Sequence, residues 1–170
     1  MGRAAVVRAG LLAGAAAAAA AGFVPVLDAV LDRIEGHVCR VHRPGPYPAG
    51  DQARALGAAV PVTDLHADSL LFGRDLAVRS SRAHADVPRW LEGGMALQVL
   101  AAATRISRHV ALTGNADRGD DVRWLAIGRR WPPRTWLSLL ERALHLAAQA
   151  RDLERRAGGR FRVITTRDEL

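Results

Sequence analysis

The residues with the most chemistry in them lie together, in Val60-Pro61-Val62-Thr63-Asp64-Leu65-His66-Ala67-Asp68. The β-branched residues at its start predict a short strand at about 60–66 that ends in histidine and aspartate. Side chains alternate between the faces of a strand, so Val60, Val62, Asp64, His66 and Asp68 share one side. That side starts apolar and ends with two carboxylates flanking an imidazole. Such groups are costly to point into a core without a cation, and a divalent metal held by His66 and Asp68 accounts for them. The alternative is a solvated strand end whose His66 and Asp68 hydrogen-bond to nearby loop backbone. The same three letters recur in His84-Ala85-Asp86, between Ser80-Ser81-Arg82 and Val87-Pro88, where the context predicts a loop and no metal.

Composition narrows the partners. The 170 residues carry a formal charge of +7, a balance that often marks nucleic-acid binding. All 24 basic residues are arginine, however, and they are scattered, with short clusters only at Arg129-Arg130 and Arg155-Arg156. Aromatic residues make up 5% and do not interleave with the arginines as a base-stacking platform requires, so no nucleic-acid partner is expected. The single cysteine, Cys39, excludes an intrachain disulfide framework and a cysteine-only metal site.

The elements that must position the pair follow from the rest of the chain. Ala9 to Leu27 is a run of 19 residues without charge, preceded by Arg3 and Arg8. As a helix it would extend roughly 28 Å, close to the hydrocarbon thickness of a bilayer. Residues 1–36 are expected to form a retained N-terminal anchor helix, with a cleaved signal peptide as the rival. Either exports the domain: a single-pass protein of the cell membrane in the first case, a secreted or periplasmic one in the second. Residues 37–50, rich in proline and glycine, are expected to be a stiff linker. The remaining 51–170 would be the folded domain. There, helices are expected at 52–59, after Val87 and from Asp120, and a long one over 134–156 with Leu137, Leu140, Leu144, Ala148 and Leu153 on its apolar face. Met95–Ile106 is apolar enough for a buried parallel strand, and Phe161–Thr165 suggests a third. Thr166 and Glu169 have capping-box spacing.

Strands alternating with helices predict an α/β domain, and ligands at the C-terminal end of its first strand match the position of active sites in (β/α)8 barrels. Such a barrel needs about 250 residues, whereas about 120 follow the linker, so the expected fold is the N-terminal part of a TIM-type barrel, incomplete. An unfinished barrel would leave a parallel strand edge exposed.

Three motifs in order are Val62-Thr63-Asp64-Leu65-His66-Ala67-Asp68, His84-Ala85-Asp86-Val87-Pro88-Arg89 and Leu91-Glu92-Gly93-Gly94-Met95-Ala96-Leu97-Gln98. Together they resemble the membrane dipeptidase (renal dipeptidase) family of zinc peptidases, over about Asp51 to Leu170. The resemblance implies that His66 and Asp68 are the first two ligands of a binuclear zinc centre. It also implies that Asp64 lies behind them, orienting His66 or balancing charge. The bridging glutamate and two further histidines of the family would fall beyond residue 170. His37, His42, His109 and His145 are expected to be surface or core histidines. The implied reaction is hydrolysis of a dipeptide by a zinc-bound hydroxide. With two of five ligands, the chain itself is expected to be an inactive portion of the enzyme. The other readings are a non-catalytic membrane-tethered partial-barrel module and another metal hydrolase of amidohydrolase type. The catalytic base and the substrate-binding residues are not assigned, and a homodimer is left open.

Overall fold

Alanine and leucine favour helix more than other residues, and the N-terminal run obeys that preference. Helix α1 spans Arg3–Val38 in the computed structural model, which describes residues 3–43, 45, 47–106 and 119–170, with side chains from residue 21 onward. From Phe23 on, α1 packs against α4 (Asp121–Gly128). A Cβ at Gly128 would stand 2.4 Å from Leu31 Cδ1 and 3.1 Å from Leu27 Cγ, so glycine is what lets the two helices close. Phe23 meets Trp124 edge-on, with ring centroids 6.5 Å apart. Beside this apolar contact, Arg129 donates to Asp28 and Asp32 at 2.8 Å and to Glu35 at 3.0 Å. Arg74 adds an ion pair to Glu35 at 2.9 Å. The second half of α1 therefore belongs to the folded body. No helix among the described residues is long and apolar enough to cross a membrane.

The segment after α1 starts tied to the body, because Ala83 N–H donates to Cys39 O at 2.6 Å. Helix α2 (Asp51–Ala59) follows and buries no residue. Strand β1 (Val62–Ala67) pairs in parallel with β2 (Met95–Leu100), and the crossover between them carries α3 (Val87–Glu92). Asp86, fully buried, caps α3 by accepting from Arg89 N–H at 3.0 Å, and Gly94 at φ +66° turns the chain into β2. Ser138 caps α5 (Leu139–Arg156) by accepting from Glu141 N–H at 3.2 Å.

The core lies off the sheet. It joins Leu70, Leu71, Leu76 and Ala77 after β1, Val87 and Trp90 of α3, Val122, Leu125 and Ala126 of α4, and Leu146 and Leu153 of α5. Neither strand contributes a fully buried residue, and Met95 and Leu100 only flank the cluster. The apolar face expected for the long helix is also corrected: Leu137, Leu140 and Leu144 are exposed, while Arg142, Leu146 and Leu153 face inward.

The expectation of a TIM-type barrel portion behind a membrane or signal helix is overturned. The fold is a mixture of helices with a two-stranded parallel sheet. The segment expected as a third strand, 161–165, makes no ladder. Two of its N–H groups have other acceptors: Val163 donates to Glu154 at 3.1 Å and Thr165 to Glu169 at 2.7 Å, and the next residue, Thr166, also donates to Glu169 at 3.2 Å. The Thr166–Glu169 capping box forms, but only a single 3-10 turn follows it.

One buried guanidinium joins these pieces. Arg142 is fully buried and uses all five of its N–H donors. It meets both oxygens of Asp120 at 2.7 and 2.9 Å, Thr104 O at 2.8 Å, and the carbonyls of Thr135 and Trp136 at 2.7 Å. Burial pushes the Asp120 carboxyl up, but the hydrogen bonds and charge of Arg142 outweigh it and the net shift is downward.

Removing one partner of such a buried pair costs about 3–5 kcal/mol, so Arg142→Leu should destabilise the chain by that amount in urea unfolding, and Arg142→Leu/Asp120→Leu by less. A loss under about 1 kcal/mol in the single variant would contradict the role given to this pair. The C-terminal turn makes a separate prediction. Hydrogen bonds from Thr165 and then Thr166 lower the Glu169 carboxyl from 4.5 to about 2. Its stabilising contribution is full above the unfolded value and is lost as pH falls from 4.5 toward 2. Carbon NMR of the Glu169 carboxyl should give a midpoint near 2, with Thr165 amide protection lost in the same window. An ordinary glutamate midpoint would contradict the cap.

Candidate metal-binding strand end

The polar end of β1 is shaped by its register with β2. Asp64 pairs with Gln98 and Ala67 with Leu100, so three steps on β1 oppose two on β2. The extra residue is a bulge at Leu65–His66, a device that re-aims side chains at sheet ends. Asp64 holds the bulge from both sides. One oxygen accepts from the backbone N–H of His66 at 3.0 Å and the other from Gln98 Nε2 at 2.8 Å. These two bonds, the backbone one first, keep the Asp64 carboxyl below the usual range, and the His66 ring adds to the effect. Asp64 thus grips the main chain at His66 and the neighbouring strand.

Past the bulge, His66 and Asp68 converge: Nε2 of the ring lies 3.4 Å from Asp68 Oδ2. Both are open to solvent, with side chains 71% and 43% exposed. The face that carries them is not a core face, so the cost of burial that motivated a cation does not arise here. What remains is the convergence itself. A nitrogen–oxygen distance of 3.4 Å is long for a hydrogen bond, whose usual range ends near 3.2 Å. Two ligands bound 2.0–2.2 Å from a tetrahedral zinc ion would stand about 3.3–3.5 Å apart. One imidazole nitrogen and one carboxylate oxygen are also suitable donors for zinc.

The other candidates go elsewhere. Asp86 is spent on capping α3, on Ser80 N–H at 3.2 Å and on Arg89, while His84 is exposed. His145 packs on Trp131 with ring centroids 4.7 Å apart, and burial, then Arg134, lowers its pKa. His37 and His42 are exposed, and His109 lies outside the described residues. Among the described residues no group of three or more histidine, cysteine, aspartate or glutamate side chains is placed to hold a metal.

Gln98 is the residue that reasoning from spacing undervalued, because its role depends on strand register. It also borders a cleft of about 550 Å3 beside β2, lined by Trp90, Leu97, Phe161 and Val163. His66 and Asp68 do not line this cleft. Comparison of the chain with protein-family models, with curated proteins and with solved structures finds no match.

Proposed function

We propose that the chain supplies the first pair of zinc ligands, His66 and Asp68, of a metal-dependent dipeptidase. The observation that carries the metal is the 3.4 Å approach of imidazole to carboxylate at the end of β1. The choice of reaction rests on the three motifs around Asp64–Asp68, Asp86–Arg89 and Glu92–Gln98, which resemble those of the membrane dipeptidases. Bound there, zinc would supply Lewis acidity toward a peptide carbonyl and a water activated near neutral pH. His66 and Asp68 would hold the ion, and Asp64 would keep the main chain of His66 in place.

Catalytic zinc usually takes at least three protein ligands, and the described residues offer two. That count also favours a second reading, a non-catalytic module whose strand end would leave zinc unbound.

The test is a zinc titration of the purified chain against a chromophoric chelator. Binding should be weak and reversible, His66→Ala and Asp68→Ala should each lower affinity about tenfold or more, and the zinc-loaded chain should not turn over Gly-D-Ala. No zinc uptake, or uptake that His66→Ala leaves unchanged, favours the non-catalytic module. Stoichiometric zinc retained through dialysis, together with cleavage of Gly-D-Ala, would contradict the two-ligand site.

A further inference from the structure

Helices α1 and α4 meet where Leu27 and Leu31 close on Gly128. Beside that contact lies a groove of about 390 Å3, walled by Val30 and Ile34 of α1, Val122 and Trp124 of α4, and Phe72 from the loop after β1. Small-molecule sites commonly enclose about 300–1,000 Å3 and are lined mainly by apolar side chains with a few polar groups among them. Val30, Ile34 and Trp124 are 48%, 53% and 45% exposed. Large apolar side chains exposed singly need no explanation, but several gathered around one concavity mark a binding surface.

The charged residues on the wall say what kind of molecule fits. They are Glu35, Asp121 and Arg129. Glu35 meets Arg74 at 2.9 Å and Arg129 at 3.0 Å, and Arg129 also donates to Asp28 and Asp32 at 2.8 Å. Those bonds occupy both terminal nitrogens of Arg129 and compensate its charge. Its remaining donor, Nε, is buried and has no acceptor among the described residues. A buried donor left unpaired is unfavourable. The groove therefore calls for an acceptor and not for a charge. An anion would face the Asp121 carboxylate beside a guanidinium already neutralised, and either ion would be stripped of water against an apolar wall.

We infer that the α1–α4 groove binds an uncharged, elongated apolar molecule with one acceptor oxygen, the carbonyl of a long-chain ketone or ester, which Arg129 Nε receives. Its chain lies along Val30, Ile34 and Trp124. Neither His66 nor Asp68 lines this groove, and the inference is independent of zinc.

The experiment uses the full chain and three probes of equal length, 2-nonanone, nonanoate and nonylammonium, each kept below its solubility or micelle limit. Binding is read from the methyl NMR signals of Val30 and Ile34 and from Trp124 emission, with Trp124→Phe isolating the latter. The ketone should bind saturably and about tenfold or more tighter than either ion. Its 13C-labelled carbonyl, when bound, should resonate downfield of its position in hexane, as a hydrogen-bonded carbonyl does. Val30→Gln and Ile34→Gln change exposed positions, so each should weaken the ketone about fivefold or more and keep the melting temperature within about 2 °C. Should a variant melt lower than that, the three-probe comparison on wild type decides alone. Uptake that never saturates, nonanoate binding as tightly as the ketone, a bound carbonyl at its hexane position, or full affinity in both variants would each overturn the inference. So would methyl signals that shift with protein concentration in the absence of any probe, because a second copy would then cover the groove.

Discussion

The charge of Arg142 has to be neutralised inside the body, and that constraint organises the molecule. A guanidinium with no exposed surface is tolerable only when every N–H finds an acceptor. The acceptors come from three separate pieces of chain: Thr104 beyond β2, Asp120 at the start of α4, and Thr135 and Trp136 before α5. Meeting the demand of one side chain fixes where β2 leaves the sheet, where α4 begins and how α5 lies across both. Helix α4 then offers Gly128 and Arg129 to α1, so the docking of the N-terminal helix follows from the same arrangement.

How much of this was legible depends on the range of the interaction. Local signals served well. The short helix after Val87 and the box at Thr166–Glu169 use contacts within four residues, and both appear. Longer-range features were lost. Arginine at 142 hid the inward face of α5, because its partner is 22 residues away. Leucines 137, 140 and 144 then seemed the better stripe, and they are the exposed ones. The barrel expectation failed for a related reason. Phe161–Thr165 has the composition of a strand, but Glu154 and Glu169 take the N–H groups that a neighbouring strand would need. The charge-free run at the N-terminus marked a helix correctly and gave no sign that its continuation would be held by Arg129.

The strand end shows the same division. His66 and Asp68 could be picked from types and spacing, whereas the bulge at Leu65–His66 and the bond from Gln98 to Asp64 arise only from pairing with β2. Simple alternation put Asp64 alongside His66 and Asp68. In the fold it is spent on backbone and amide, which leaves one nitrogen and one oxygen free to converge.

The most direct test of this account is X-ray absorption at the zinc edge on the chain loaded below stoichiometry. The account predicts one imidazole nitrogen at about 2.0–2.1 Å, the remaining donors all oxygen at about 2.0–2.2 Å, and loss of the imidazole scattering in His66→Ala. A sulfur shell near 2.3 Å from Cys39, or two or more imidazoles, would place the metal elsewhere and contradict it.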